Sequence, residues 1–229
     1  MKLKLKEDYI QSLETEKKEE VTQDSKDSKQ KDKQKEEVLY NSKPLNLTYT
    51  KARKLENNFV VLDFETTGLQ YRTDEIIQYG IVEYVNGKVT HEYTQYFKPG
   101  KPVGKTVMKK TGITNEFLQD KPKLNKFYLL ELKNFLEGNT IVAHNAPYDM
   151  KFLLNNFHDF NITTEKFRAF DTLTHSRRLI TETPNHKLKT LKEYFNLDSG
   201  QSHQALNDAR ATGKLALLLL ERQNASIYE

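Results

Sequence analysis

An apolar run that ends in two acids constrains this chain more than any other feature. The stretch "FVVLDFETTGL", which starts at Phe59, is rich in β-branched and aromatic residues, a pattern that predicts a buried strand. Because side chains alternate between the faces of a strand, Asp63 and Glu65 lie on the same face as Phe59 and Val61. Two adjacent carboxylates repel each other and lose hydration there, unless a cation lies between them. The stretch therefore indicates either a solvated strand end or a site for a divalent cation.

The amino-terminal part of the chain has a different composition. Residues 1–57 include "ETEKKEEVTQDSKDSKQKDKQKEE", a run of charged and polar residues with few side chains that could enter a core. Such a segment cannot bury enough apolar surface to offset the entropy cost of folding. We therefore expect a charged, mostly disordered tail at residues 1–57, one domain at residues 58–224 and a short carboxyl-terminal extension at residues 225–229.

Composition also narrows the possible functions. The chain has no cysteine, which excludes disulfides and thiolate metal sites and leaves oxygen and imidazole ligands for a hard cation. Its formal net charge of +4 is too small to indicate a nucleic-acid-binding surface by itself. No apolar stretch is long enough for a signal peptide or a membrane span, so we expect a cytoplasmic protein without a membrane partner.

The order of sequence patterns predicts an α/β fold. The pair Asn86-Gly87 between two β-rich runs predicts an antiparallel hairpin. The runs "TIVAHN" and "KFRAFD" predict two more strands, and three segments have helical spacing, one before, one between and one after these runs. Alternating strands and helices after a hairpin favour a mixed five-stranded sheet with helices on both faces.

Two later stretches place acids at the ends of these elements. "HNAPYD" puts Asp149 in the first turn of a helix, where the helix dipole favours a carboxylate. "HQALNDA" puts Asp208 in the last helix and His203 in the loop just before it, because a five-residue step in a continuous helix rotates about 140° and would separate their faces. That helix carries small residues at spacings of three and four, which predicts close packing against the sheet: Ala205, Ala209, Thr212, Gly213 and Ala216. Taken singly, these patterns also fit a capping acid and a tightly packed helix.

Together, "DFE", "HNAPYD" and "HQALND" resemble, in order, the three motifs of the DEDDh family of 3′→5′ exonucleases, which includes proofreading subunits of bacterial replicative polymerases. The resemblance covers about residues 58–223. It implies a ribonuclease-H-like sheet and phosphodiester hydrolysis with two divalent cations, Mg²⁺ or Mn²⁺. It assigns His203 as the general base, and it assigns as metal-binding carboxylates Asp63, Glu65, Asp149 and Asp208.

The resemblance also implies residues that bind the terminal nucleotide. His144 and Asn145 match a His-Asn pair of the family and are expected to support the site or orient the substrate. Thr111 and Tyr148 replace a histidine and a phenylalanine that are commoner in the family, which affects pocket shape rather than metal ligands. The segment "TTGL" is expected to line the nucleotide, with the last of its residues against the base: Thr66, Thr67, Gly68 and Leu69. Basic residues between the motifs are candidates for phosphate contacts: Lys109, Lys110, Arg177, Arg178, Lys187, Lys189 and Lys192.

These expectations converge on a 3′→5′ exonuclease that removes nucleoside monophosphates from single-stranded or frayed DNA ends, in proofreading or repair. Two alternatives stay open. The same chemistry on RNA is one, because no residue in the sequence reveals a contact to the 2′-hydroxyl. A non-catalytic adaptor that uses the fold as a docking surface is the other. The charged tail is a candidate contact for a DNA polymerase or another replication protein.

Overall fold

The computed structural model of the protein describes residues 44–198, 200 and 202–225. The predictions for most of the tail and for the carboxyl-terminal extension therefore lie outside the described residues. A compact unit starts at Asn46. Thr50–Lys51 forms a strand, and Ala52 and Leu55 are buried, ahead of the boundary at residue 58 that the sequence predicts. The folded unit thus includes residues that composition assigned to the tail.

In the described part of the chain, six strands form a mixed sheet, which confirms the predicted α/β class. Five match the predicted strands, and the sixth is the two-residue edge strand, which is too short to show an alternating pattern. Their spatial order is β1-β6-β5-β2-β3-β4, with β2 antiparallel to β3 and parallel to β5. The strands are β1 (Thr50–Lys51), β2 (Phe59–Thr66), β3 (Ile76–Val85), β4 (Lys88–Tyr96), β5 (Thr140–Ala143) and β6 (Arg168–Asp171).

Helices cover both faces of this sheet, as predicted. Leu62 and Phe64 of β2 belong to a core with α3 and α4, whereas Phe59 and Val61 belong to a core with α6 and α7 on the other face. Within the described residues, no helix combines the length and the apolar character needed to cross a membrane. The helices are α1 (Lys105–Thr111), α2 (Asn115–Leu118), α3 (Lys126–Leu136), α4 (Ala146–Asp159), α5 (Thr172–Leu179), α6 (Leu188–Tyr194) and α7 (Ala205–Ala225).

The turn between β3 and β4 follows directly from its sequence. Asn86 and Gly87 both have positive φ, 53° and 72°, the conformation that a two-residue hairpin turn requires. The predicted hairpin is confirmed, and it leaves β3 between β2 and β4 in the sheet. This arrangement presents β3 to the last helix along most of its length.

Helix α7 packs unusually close to the sheet, as its small residues predict. A Cβ atom added to Gly80 of β3 would lie 2.3 Å from the carbonyl carbon of Ala205, far inside van der Waals contact. A Cβ atom added to Gly213 of α7 would lie 2.5 Å from the ring of Tyr84. Because Gly80 pairs with Asp63 in the sheet register, this close approach brings the first turn of α7 beside the acidic end of β2.

We predict that Gly80→Ala lowers the free energy of unfolding by about 1–3 kcal/mol, the usual cost of overpacking, because backbone rather than a flexible side chain stands in the way. Chemical denaturation measures this change. Gly100→Ala is the matched control, since its nearest neighbour would be the Glu75 carboxylate at an ordinary 3.5 Å. Equal stabilities of the two variants would contradict the close approach of α7.

Candidate active site

The site begins at the carboxyl end of β2. Asp63 pairs with Gly80 and Glu65 with Gln78 of β3, and the register shifts at a bulge between Glu65 and Thr66. Both acids project towards the face covered by α7, as the alternation in the sequence predicts. The strand therefore delivers two half-buried carboxylates to the place where α7 starts.

Asp149 reaches the same place from the start of α4. Its side chain is 3% exposed, and its Oδ1 accepts a hydrogen bond from the backbone N–H of Phe64 at 3.1 Å. Helix α4 starts after Asn145, which has a left-handed φ of 72°. The backbone N–H groups of Asn145 and Ala146 donate to Asp171 Oδ1 at 2.9 and 3.1 Å. Asp171 thus fixes the turn that orients Asp149, a role that no sequence motif indicated.

The start of α7 supplies Asp208 and His203. The buried Gln78 accepts a hydrogen bond from the backbone N–H of Ala205 at 3.1 Å and so anchors the first turn. Asp208 Oδ2 accepts from the backbone N–H of His203 at 2.9 Å. His203 has a left-handed φ of 64° and precedes the helix, so its ring extends from the loop, as the sequence predicts.

His203 lies close to two of the acids, although the family resemblance assigns only the acids to the metal and makes His203 the general base. One ring nitrogen of His203 and one carboxylate oxygen each from Glu65 and Asp208 all lie within 4.8 Å of one another. The other two acids, Asp63 and Asp149, interact with this group electrostatically. The structure therefore brings together all five residues that the motifs single out.

Burial raises the pKa of every one of these carboxyls, and repulsion by neighbouring acids adds to this rise at Asp63, Glu65 and Asp149. Burial is the main cause for Asp149, whose pKa rises to about 8, and for Glu65, whose pKa rises to about 7 with a further contribution from Asp208. The pKa of Asp63 rises well above its usual range through burial and then through the other three acids. Burial also raises the pKa of Asp208. Lys110 is nearby and opposes part of this effect at Asp63, Glu65 and Asp208.

These residues fit a divalent cation. Oδ1 of Asp208 is buried and has no hydrogen-bond partner among the described residues, so this oxygen is left for a ligand. Carboxylate oxygens are the ligands that Mg²⁺ and Mn²⁺ prefer. A bound cation would also remove the repulsion that raises the carboxyl pKa values.

A groove of about 720 Å³ opens beside Asp208 and His203. Four of the seven predicted phosphate contacts line it: Lys110, Arg177, Lys187 and Lys189. Lys109 and Arg178 lie outside its lining, and Lys192 is buried in the protein. These four basic side chains therefore line one groove that also reaches Asp208.

His144 lines this groove, but both nitrogens of its ring are engaged within the protein. Nδ1 lies 2.9 Å from the Thr172 hydroxyl, and Nε2 lies 3.0 Å from the His186 carbonyl. Burial lowers the pKa of His144 to about 4, so the ring is neutral and Nε2–H donates to the carbonyl. This geometry fits the supporting role that the sequence left open. Asn145 is exposed at the turn into α4.

The "TTGL" segment forms a turn that the protein itself holds in place. The Thr66 hydroxyl donates to the Gly68 carbonyl at 2.5 Å, and the Tyr148 hydroxyl donates to the same carbonyl at 3.1 Å. The Thr67 hydroxyl accepts from the Glu75 backbone N–H at 2.9 Å. Leu69, at the tip, is 78% exposed. The threonine hydroxyls are thus part of the turn, and the apolar side chain is presented to solvent.

The two departures from the family pattern have different structural roles. The hydroxyl of Tyr148, which a phenylalanine would lack, lies 2.5 Å from Thr66 Oγ1 and adds to the hydrogen bonds of the turn. Thr111 is buried at the end of α1. Its hydroxyl donates to the backbone carbonyl of Val107 and accepts from the backbone N–H of Ile113, both at 3.0 Å. Thr111 therefore shapes a helix end.

Comparison with known proteins agrees with this geometry. The family model for exonucleases matches residues 60–216, which is most of the chain. The chain belongs to this exonuclease family. Exonucleases of the family depend on divalent metals, in keeping with the acidic cluster.

The chain is similar in sequence to a segment of bacterial DNA polymerases. DNA polymerase III PolC-type of Caldanaerobacter subterraneus is 36% identical over 168 residues, which cover 73% of this chain and 12% of the relative. DNA polymerase III PolC-type of Bacillus subtilis is 34% identical over 179 residues, which cover 76% and 12%. The chain thus spans only about an eighth of the length of these relatives, as the 12% coverage shows.

Solved structures share the fold of the exonuclease domain. Exonuclease X in complex with 5′-overhanging duplex DNA superposes with a TM-score of 0.56 at 22% identity, covering 75% of this chain and 94% of that one. Exonuclease I of E. coli in complex with a dT13 oligonucleotide gives a TM-score of 0.66 at 18% identity, covering 76% and 43%. Both similarities support the ribonuclease-H-like sheet that the motifs imply.

We predict that the metal-free exonuclease domain loses stability as the pH rises from about 4, the ordinary carboxyl pKa, to about 8. The folded pKa values of the acids are raised, so the folded state binds more protons than the unfolded state in this window, and each proton lost weakens it. Melting in chelator measures the trend. Asp63→Asn should therefore melt at a higher temperature than the parent near the upper end of the window, and the difference should shrink at the lower end.

Asp120→Asn, which changes an exposed acid, is the control and should melt like the parent throughout. Adding Mn²⁺ near the upper end should raise the melting temperature of the parent more than that of Asp63→Asn. A parent protein that gains stability with rising pH in chelator would contradict the repulsion.

Proposed function

We propose that the chain is a 3′→5′ exonuclease that hydrolyses phosphodiester bonds at the 3′ end of DNA and releases nucleoside monophosphates. One observation carries the proposal: acids from β2, α4 and α7 converge with His203, and a buried oxygen of Asp208 is left without a protein partner. An acid cluster that served only to stabilise the fold would be expected to pair with cations of the protein. Here the carboxylates instead raise each other's pKa.

In this proposal, Asp63, Glu65, Asp149 and Asp208 hold two divalent cations, Mg²⁺ or Mn²⁺. When bound, such ions stabilise the negative charge that develops on the phosphate oxygens during in-line displacement. His203 acts as general base and accepts the proton of the attacking water at a ring nitrogen. Burial, followed by Lys110, lowers the pKa of His203, so its ring is neutral and able to accept a proton at neutral pH.

The groove and the "TTGL" turn bind the substrate in this proposal. The exposed Leu69 packs against the terminal base, and Thr66, Thr67 and Gly68 hold the turn beneath the nucleotide. His144 and Asn145 support the groove wall. Phosphates of a single-stranded or frayed end bind the lysine and arginine side chains that line the groove.

The names of the similar proteins favour DNA as the substrate and a polymerase as the partner. The PolC-type relatives are DNA polymerases, and the matched segment is a small part of each. A role in proofreading or repair follows, and residues 1–57 are the candidate contact with a replication protein. In this proposal the protein acts in the cytoplasm.

The deciding experiment follows end-labelled single-stranded DNA and RNA of the same sequence, with Mg²⁺, Mn²⁺ or chelator. We expect one-nucleotide shortening from the 3′ end of DNA, none in chelator, and none with Asp63→Ala or Asp208→Ala. His203→Ala should lower kcat by about 10²–10⁴-fold, the contribution of a general base, while it still binds Mn²⁺.

Each other outcome changes a defined part of the proposal. Faster shortening of RNA would make the chain an exoribonuclease. Intact substrates under all conditions would indicate the non-catalytic adaptor. Near-normal activity of Asp63→Ala would contradict the metal site, and loss of Mn²⁺ binding by His203→Ala would make His203 a ligand.

A second prediction concerns the adjacent arginines at the end of α5. Arg177 lines the groove and Arg178 does not. Arg177→Ala should raise KM for single-stranded DNA and reduce the slope of log KM against log salt by about 1, the effect of one lost phosphate contact. Arg178→Ala removes the same charge outside the groove and should leave the slope unchanged. Equal slopes for the two variants would place the strand elsewhere.

A further inference from the structure

Lys192 of α6 is buried, which is unusual for a lysine. Its side chain is only 6% exposed, although the sequence offers it as a phosphate contact. Its Nζ lies 3.6 Å from Asp198 Oδ2 and donates to the backbone carbonyl of Gly200. Asp198 is itself only 13% exposed in its side chain. A lysine placed in this way cannot reach a strand in the groove, so its charge serves a purpose inside the protein.

Both partners of Lys192 belong to the loop between α6 and α7. Asp198 Oδ2 accepts from the backbone N–H of Gly200 at 3.0 Å, so the carboxylate, the ammonium and the Gly200 peptide form one cluster. The loop also lies directly on α7, because a Cβ atom added to Gly200 would be 2.6 Å from Cγ of Asn207. Lys192 therefore fastens this loop between two helices.

His203 follows Gly200 by three positions in the same loop. Its φ of 64° is a conformation that a residue with a side chain adopts only when its surroundings impose it. The hydrogen bond from the His203 backbone to Asp208 fixes one end of the segment, and the Lys192 cluster fixes the other. His203 is thus held to α7 and Gly200 to α6.

We propose that Lys192 is a positioning residue that holds the loop of His203 so that the imidazole faces the acidic site. The inference rests on the proposed function, because it needs His203 to act in the reaction. Lys192 does not line the groove, and its contacts are with Asp198 and the Gly200 carbonyl. Its effect is therefore on the rate of the chemical step.

A double-mutant cycle on the full chain tests this route of action. Lys192→Met keeps most of the apolar volume and removes the charge, and we expect it to lower kcat at least about 10-fold, within the about 10²–10⁴-fold attributed to a general base. KM for single-stranded DNA should stay unchanged, because the side chain does not line the groove. In a His203→Ala background, adding Lys192→Met should lower kcat no further.

The cycle separates failure of this inference from failure of the proposed function. If His203→Ala lowers kcat and Lys192→Met lowers it by a further independent factor, Lys192 does not act through His203 and the inference is wrong. If Lys192→Met raises KM with kcat unchanged, Lys192 contacts the strand and the inference is wrong. If His203→Ala alone loses nothing, the role of His203 in the proposed function fails, and this inference fails with it.

Stability controls distinguish positioning from general damage. Lys133→Met removes a lysine whose Nζ also lies 3.6 Å from a carboxylate, that of Glu137, and it should leave kcat unchanged. Lys192→Met removes the salt-bridge partner of Asp198, whereas Lys192→Met with Asp198→Asn removes both charges. We expect the second change to restore the melting temperature but not kcat. Recovery of both together would show that Lys192 only stabilises the fold.

Chemical rescue gives an independent test, because the chain has no cysteine of its own. Lys192→Cys, alkylated with 2-bromoethylamine in denaturant and refolded, carries an ammonium at nearly the length of lysine. We expect this product to regain kcat relative to the unalkylated variant. The parent protein carried through the same treatment controls for reaction elsewhere, and failure to regain kcat after correct refolding would overturn the inference.

Discussion

The close approach of α7 to β3 is the contact on which the site depends. Gly80 lets the backbone of Ala205 touch the sheet, and Gln78 accepts the hydrogen bond that fixes the first turn of the helix. Only at this distance does Asp208 stand beside Asp63 and Glu65. Small residues along α7 thus determine where a charged group lies. The packing of the core and the geometry of the acids are consequences of the same sequence feature.

This close packing brings together acids whose negative charges repel one another. The acids are buried together, which raises their pKa values, and the same burial makes each of them costly without a counter-charge. Lys110 is exposed and offsets the repulsion only in part. The strand and the helices must therefore hold the carboxylates against their repulsion, with energy drawn from the apolar cores on both faces of the sheet. A bound cation would attract all of these carboxylates and so offset their mutual repulsion.

The sequence predicts the residues of this site better than it predicts the groups that hold them. Alternation along β2 and the order of three short motifs were sufficient to find Asp63, Glu65, Asp149, His203 and Asp208. Asp171 and Gln78 were missed, because a single polar residue that bonds to a distant backbone N–H leaves no periodic signal. Lys192 looked like any other exposed lysine until its burial was known.

The same limit applies to the fold. Five strands were predicted from their composition and turns, since each is long enough to show a pattern. The edge strand at Thr50–Lys51 was missed, because only two residues pair and the charged composition of residues 1–57 outweighed the apolar residues beside them. Pairing with β6 alone makes it a strand. Local preference could not have revealed a partner that lies more than a hundred positions away.

The single carboxylate of Asp171 bonds to the starts of two helices. Oδ1 accepts from the turn that starts α4 and also from Leu173 in the first turn of α5, while Oδ2 accepts from the Thr174 hydroxyl. Helix α4 carries Asp149, and α5 carries Leu173 and Arg177 of the groove wall. The two helices consequently start from one shared anchor. Removing the Asp171 carboxylate would therefore disturb the turn before Asp149 and the first turn of α5 together.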